Sequence, residues 1–348
     1  MIRVLVVEDS PSCRELLVGI LDGDPRLRVI GVAPDGESAV QMAARLKPDV
    51  ITMDIHLPRM DGFAATRRIM ETSPTRIVMV TASSIPHEVA ASFRALEAGA
   101  LAVLGKPMGP GDPLFAAASE ELRRTVALMA EVPVVRRWPA AARQAPRPPR
   151  PVSHQGGLAL VAVGASTGGP LALQALLSAL RRDFPIPVVI VQHISAGFAE
   201  GLAQWLGGVS GYPVRVAAHA DCMQPGMAYV APDGVHTTVQ ADLGIALSHA
   251  PPENGYRPAV ACLFRSVAEQ FGARAAGLLL TGMGHDGARE LKAMHDAGAL
   301  TMVQDSASAA VYGMPGEALR LGAADHVLAP QAMAAALNPL VHAPEGLR

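Results

Sequence analysis

The sequence holds three cysteines, Cys13, Cys222 and Cys262, an odd number set far apart with no C-x-x-C pair. That spacing argues against a disulfide framework and against a cysteine zinc site. Aromatic residues make up only 4% of the chain and charged residues 17%, and the formal net charge is −2. The chain-wide basic field of a nucleic-acid binder is therefore missing. No run of 18 apolar residues occurs, so no membrane insertion is expected. The apolar stretch of MIRVLVVEDS is too short for a signal peptide and ends in acids. What the chain has in quantity is apolar material, half of its 348 residues. At about 150 residues per domain, that suits two domains with a core each. A reduced, cytoplasmic location is the expectation.

One segment stands apart. Val132–Gly157 reads VPVVRRWPAAARQAPRPPRPVSHQGG, rich in Pro and Arg and without apolar periodicity. Such sequence favours extended conformations over helix or sheet. It reads as an interdomain tether, or as a docking segment for an acidic partner through Arg136, Arg137, Arg143, Arg147 and Arg150. The expected division is 1–125, a linker over 126–157, and 158–340.

On both sides of the linker, short apolar runs alternate with amphipathic stretches, the grammar of parallel-sheet α/β domains. Ile2–Val7, Val29–Val32, Val50–Met53, Ile77–Val80 and Leu101–Leu104 read as strands of the first domain, with Pro113–Met129 as a closing helix. In the second, Leu158–Val163, Val188–Val191, Val214–Ala217, Met227–Val230, Leu278–Leu280, Thr301–Val303 and His326–Leu328 read as strands. Leu171–Leu180, Ala259–Phe271 and Ala288–Ala297 read as helices. Met227–Ser248 reads as local β-hairpins. Both domains are expected to be α/β sandwiches, flavodoxin-like and then Rossmann-like with a hairpin region.

In open parallel sheets, ligands sit beyond the carboxyl ends of the strands. The first domain's strands end in Glu8 and Asp9, in Asp54, in Thr81 and in Lys106. Three carboxylates at one edge repel unless a cation intervenes, and a hard cation such as Mg²⁺ suits their oxygens. A lysine and a hydroxyl beside them suit a phosphoryl group. Lys106 is one of only three lysines in the chain.

Through VLVVEDS, PDVITMDIHLPRMDG, VTAS and GKP, residues 1–125 resemble the receiver domain of two-component response regulators. The resemblance implies that Asp54 accepts phosphate from a histidine kinase. It implies that Glu8, Asp9 and Asp54 bind Mg²⁺ and that Thr81 and Lys106 contact the acyl phosphate. Many receivers carry an aromatic switch three residues before the lysine. Here that residue is Val103.

In the second domain a strand runs into Gly164-Ala165-Ser166-Thr167-Gly168-Gly169-Pro170, a small-residue turn that opens a helix. Amides at such a helix start can hold an oxyanion. The turn fits G-x-S-x-G and not G-x-G-x-x-G, which counts against a dinucleotide site. The other reading is a plain turn with serine as a cap. A serine nucleophile needs a base. His193 follows the apolar run VVIVQ at another strand end. His219, His236 and His249 fall in the hairpin region and His295 in a helix, while His285 adjoins the next candidate. Asp286 lies in the turn TGMGHDG, placed to orient an imidazole or to cap the helix Ala288–Ala297. The order Ser, His, Asp differs from that of the α/β-hydrolases.

With VAVGASTGGP, VVIVQHISAGFAEGLA, MAYVAPDGVH, YRPAVACLFRS, GLLLTGMGHDGA and VQDSASAAVYGMP, the chain resembles the chemotaxis protein-glutamate methylesterases, the CheB family. The resemblance implies hydrolysis of methyl esters on chemoreceptor glutamates, and deamidation of receptor glutamines. Ser166 would be the nucleophile, His193 the base and Asp286 its orienting partner. Thr167 would flank the nucleophile, and the Met283 N–H would help form the oxyanion hole. No cofactor is expected for this chemistry. The unphosphorylated receiver is expected to gate the catalytic cleft. His285 stands where the family commonly has asparagine, and the aromatic-ended receptor tether has no match in the linker or in the final PEGLR. Rival readings are a non-catalytic phospho-receiver scaffold or phosphate sink, and another acyl hydrolase. A DNA-binding output lacks its helix-turn-helix pattern.

Overall fold

Five strands, each feeding a helix or a crossover, build the first sheet of the computed structural model, which describes residues 1–82, 93, 95, 96, 98–132 and 157–340. The chain divides into two units, Met1–Arg143 and Gln144–Arg348. In the first, β1 (Ile2–Val7), α1 (Pro11–Asp22), β2 (Leu27–Ala33), α2 (Gly36–Leu46), β3 (Val50–Met53), α3 (Gly62–Thr72), β4 (Arg76–Thr81), β5 (Ala102–Gly105) and α4 (Phe115–Met129) follow in turn. The sheet order is β2-β1-β3-β4-β5 and every pairing is parallel. This is the flavodoxin-like order, whose switch point lies between β1 and β3. Central strands in such sheets are covered on both faces, and β3 is buried along its whole length. Side-chain caps start three of the helices. Ser10 accepts from the Cys13 N–H, Asp35 from Ser38 and Asp61 from Ala64.

The closing helix corrects one boundary. It runs to Met129 with Val126, Ala127 and Met129 buried. Residues 126–129 therefore belong to the first unit's core and not to a linker starting at 126. Most of the expected tether, residues 133–156, lies outside the described residues, as does the final PEGLR.

The second unit continues with β6 (Leu160–Ala165), α5 (Gly169–Ala179), β7 (Val188–Gln192), α6 (Ala199–Ser210), β8 (Val214–Val216), β9 (Ala228–Val230), β10 (His236–Val239), β11 (Ile245–Ser248) and α7 (Val260–Gln270). It ends with β12 (Ala275–Leu279), α8 (Ala288–Asp296), β13 (Leu300–Gln304), α9 (Met314–Arg320), β14 (His326–Leu328) and α10 (Pro330–Leu337). Its seven strands lie in the order β14-β13-β12-β6-β7-β9-β8, again all parallel. β10 and β11 form a separate antiparallel pair.

Only part of the expected hairpin region is a hairpin. Ala228–Val230 pairs in parallel with both β7 and β8, because its three fully buried residues are worth more in the main sheet. Helix α6 has no counterpart among the expected elements. Its sequence AEGLAQWLGGVS carries three glycines, which weaken helix propensity. Burial of Leu202, Trp205 and Leu206 against the rest of the unit overrides that cost.

Helix α7 lays Val260, Leu263, Phe264 and Val267 into the second unit's core, beside Leu160, Leu279 and Leu291. Phe264 is fully buried. Phe264→Ala is expected to destabilise this unit by about 3–5 kcal/mol, read as a lower urea midpoint of its unfolding transition.

Candidate functional sites

Residues at the carboxyl ends of β1, β3 and β5 converge in the first unit. Glu8 and Asp54 are buried and Asp9 is exposed, and one ligand oxygen from each lies within 4.8 Å of the others. Lys106 Nζ sits 2.8 Å from Glu8 and 3.0 Å from Asp54. Burial drives the Glu8 carboxyl above its ordinary value, against the pull of Lys106. Burial also works against the Lys106 charge, but its two carboxylate partners outweigh burial and raise it. Asp54 Oδ1 accepts from the Ile55 N–H at 2.7 Å. The Lys106 N–H donates to the Thr81 carbonyl at 2.7 Å, which ties the lysine to the threonine strand end. An all-oxygen, partly open acidic cluster of this kind fits a hard divalent cation that keeps some of its waters. Val103, in the place of the aromatic switch, is buried in β5.

The second site forms where β7, β6 and β12 lie side by side, because β6 is where the strand order reverses. Ser166 follows β6, His193 follows β7, and Asp286 lies in the turn after β12. The His193 N–H donates to the Ala165 carbonyl and the Ser166 N–H to Thr281, each at 3.0 Å. Gln192 completes the tie. Its Nε2 donates to the carbonyls of Ser166 and His193, at 2.8 and 2.7 Å. In the sequence Gln192 reads only as the end of an apolar strand. Its signal is a lone polar residue closing the buried run VVIVQ.

Two glycines shape the turn. Gly168 takes φ +77° at the start of α5, a left-handed conformation that a side chain disfavours. Gly282 packs so closely that an added Cβ would lie 2.8 Å from Ser166 Cβ and 2.2 Å from Met314 Sδ. Thr167 presents its carbonyl to Thr281 Oγ1 at 2.9 Å. Met283 is half-buried in the adjoining turn.

His193 Nε2 meets Asp286 Oδ2 at 2.8 Å. The opposite ring nitrogen, Nδ1, is buried and has no hydrogen-bond partner among the described residues. Asp286 Oδ2 also accepts from the Val260 N–H at 2.7 Å. Its Oδ1 accepts from Asn254 Nδ2 at 2.9 Å and from the Ala261 N–H at 3.3 Å. Burial pushes the Asp286 carboxyl up, but the hydrogen bond and charge of His193, with Asn254 and Val260, hold it below the usual carboxylate range. Asp286 thus caps α7 and not α8. The cap position of α8 is Gly287, with no side-chain hydrogen bond. The positive end of a neighbouring helix adds to the stabilisation of this buried charge.

Tyr256 stacks on the His193 ring, centroids 3.7 Å apart and planes 5° from parallel. Tyr256 and Asn254 carry no site signal of their own in the sequence, although Asn-Gly at 254–255 is a strong turn signal. The competing histidines are placed elsewhere. His236 is buried between the Pro251 carbonyl and the Ala259 N–H. His219 Nδ1 accepts from Leu247, and His295 pairs with Asp296 and Asp325. His285 is exposed and forms no part of the Asp286 hydrogen-bond set.

The chain matches the family model for the CheB methylesterase over residues 161–337, and that for the response regulator receiver domain over 4–117. It is 52% identical over 343 residues to a protein-glutamate methylesterase/protein-glutamine glutaminase of Geobacter metallireducens, covering 98% of this chain and 99% of that one. A protein of the same description from Syntrophus aciditrophicus is 51% identical over 345 residues, with 98% of each chain covered. The crystal structure of the Thermotoga maritima CheB methylesterase catalytic domain covers 53% of this chain and all of that one, at 32% identity and a TM-score of 0.51. No helix among the described residues is long and apolar enough to cross a membrane.

The tight contact at Gly282 makes the serine turn sensitive to one methyl group. Gly282→Ala is expected to leave the protein folded while slowing the labelling of Ser166 by a fluorophosphonate roughly tenfold or more, since near-ångström misplacement carries a cost of that order. Labelling at the wild-type rate would show that the turn tolerates the added carbon.

Proposed function

The chain belongs to the CheB methylesterase family and carries a response regulator receiver domain, and from that premise we propose that it hydrolyses methyl esters on glutamate side chains of chemoreceptors. It deamidates receptor glutamines by the same chemistry, in the cytoplasm, and a histidine kinase controls it by phosphorylating Asp54. The observation that carries this reading is the buried His193–Asp286 pair, which leaves Nδ1 without a partner among the described residues, on a residue tied through its main chain and Gln192 to the Ser166 turn.

Asp286 binds the proton on Nε2, so the neutral ring carries its lone pair on Nδ1. As Ser166 Oγ attacks the γ-carbonyl, Nδ1 takes the hydroxyl proton and the imidazolium is held by the Asp286 charge. The Met283 N–H meets the developing oxyanion, and Thr167 flanks the nucleophile. Nδ1 then gives its proton to the departing methoxide, or to the nitrogen of the leaving ammonia when the substrate is a glutamine. Water, deprotonated by Nδ1, attacks the acyl-enzyme. Ser166 leaves with the returned proton, and the glutamate acid is released and gives its remaining proton to solvent as it becomes a carboxylate. Side chains and amides handle every proton and charge in this scheme, so it uses no metal.

In the receiver, Glu8, Asp9 and Asp54 would hold Mg²⁺, which supplies charge neutralisation for transfer of a phosphoryl group to Asp54. Lys106 and the Thr81 hydroxyl meet the phosphoryl oxygens. A change of charge at that edge is a switch of the kind that biases a two-state element.

Ser166→Ala is expected to abolish methanol release from methylated receptor membranes with the fold preserved, and turnover near wild type would overturn the assignment. Asp286→Asn is expected to lower kcat by about 10³–10⁴, the scale for a base left in the wrong tautomer. Asp54→Asn is expected to retain basal release and lose stimulation by a small phosphodonor with Mg²⁺.

The pH profile follows from the depressed Asp286 carboxyl. A carboxylate lowered on folding contributes stability above its unfolded value, near 3.8, and loses it only as pH falls through the lower folded value. Asp286 therefore stays ionised at every pH above about 3.8. Its protonation should add no limb to log kcat/KM between about pH 4 and 7, and a slope of two on the acid side in that range would show that Asp286 titrates there.

A further inference from the structure

Residues 253–256, Glu-Asn-Gly-Tyr, form a two-residue turn closed by reciprocal hydrogen bonds between Glu253 and Tyr256, at 3.0 and 2.9 Å. Asn254 and Gly255 both have positive φ, +53° and +83°, the pattern of a type I′ turn. Asparagine tolerates that conformation better than other side chains do. From this turn Asn254 reaches Asp286 Oδ1, and Tyr256 lies flat on the His193 ring.

The turn is itself anchored to the helix that caps Asp286. Glu253 pairs with Arg265 and accepts from Cys262 Sγ at 3.1 Å, and both partners lie on α7. Burial and the Glu253 charge push the Cys262 thiol up to about 12, so it remains a donor. Two residues before the turn, the Pro251 carbonyl and His236 Nε2 lie 3.0 Å apart. The other nitrogen of that ring accepts from the Ala259 N–H, next to the Val260 amide that holds Asp286. Turn and helix start are thus joined at several points.

We propose that the Glu253–Tyr256 turn is a positioning clamp for the base, in which Asn254 fixes the Asp286 carboxylate and Tyr256 fixes the plane of the His193 ring. The bond to Asp286 sets which nitrogen carries the proton, but one hydrogen bond leaves the ring free to rock about it. A stacked ring at 3.7 Å removes that freedom. Without Asn254, Oδ1 retains only the longer 3.3 Å contact with the Ala261 N–H, and the carboxylate gains rotational freedom. Asn254 and Tyr256 act through the base and touch no reacting atom of the substrate. The inference rests on the assignment of His193 as the base.

The test uses the full-length protein with Asn254→Gly, which keeps the positive φ and loses the amide, together with Tyr256→Ala and Tyr256→Phe. Methanol release gives kcat and KM, thermal melting gives the folded fraction, and proton NMR follows the downfield His193 N–H resonance, assigned by its loss in Asp286→Asn. Asn254→Gly is expected to lower kcat roughly 10- to 100-fold, the scale of one hydrogen bond to a charged group, with KM changed by less than about twofold. The resonance should broaden. Tyr256→Ala should lower kcat in the same way, and Tyr256→Phe should recover most of it by restoring the stack. Folded Asn254→Gly and Tyr256→Ala proteins with kcat within about twofold of wild type would overturn the clamp. So would a loss of kcat with the resonance unchanged. Ser166→Ala and His193→Gln, run beside them, separate the two levels: turnover surviving in these would sink the assignment of the base itself.

Discussion

A buried carboxylate is tolerated only where donors replace its water, and the second unit is organised around meeting that requirement at Asp286. Four donors converge on its two oxygens, from His193, Asn254, Val260 and Ala261. They come from the end of β7, from the turn at 253–256 and from the first turn of α7. The charge thereby joins the strand end at 193 to the stretch 254–261, both remote from Asp286 in sequence, and sets the tautomer of His193. The same bond that satisfies Asp286 leaves Nδ1 without a partner among the described residues.

The first unit meets a related problem in another way. Glu8, Asp9 and Asp54 crowd one sheet edge, and Lys106 stands between Glu8 and Asp54. A single buried ammonium cannot neutralise three carboxylates, so the cluster keeps an excess of negative charge. That excess is what makes the edge receptive to a divalent cation, and it is the charge that a phosphoryl group on Asp54 would alter. In both units the parallel sheet does the gathering, because residues that follow adjacent strands at a switch point share one crevice whatever their separation along the chain.

Much of this was legible in the sequence. Strand-ending acids, the lysine of GKP, the serine of GASTGG, the histidine after VVIVQ and the aspartate of GHDG each follow an apolar run, and position after a strand is readable from hydrophobic patterning alone. What failed to read had specific causes. Gln192 hid inside a strand, where periodicity carries no information about a side chain that turns back to bond carbonyls. Helix α6 was masked by its glycines. Met227–Val230 resembles its neighbouring hairpin strands, since a short apolar run does not say whether its partner is parallel or antiparallel. Asp286 was readable as a cap, but the helix it caps was not, because the α7 N-terminus reaches it from a position some 25 residues away.

The sequence by itself determined the two α/β units, the sheet edge at which each site forms and the residue types available there, because strand periodicity and strand-end position are local properties. Only the tertiary structure decided which nitrogen of His193 faces Asp286, which amides neutralise that carboxylate, and that Asn254 and Tyr256 stand against the pair. Those are matters of distance between segments that do not neighbour one another in the chain. They depend on the order of strands in the sheet and on the angle at which α7 meets it, and neither is written in any one stretch of residues.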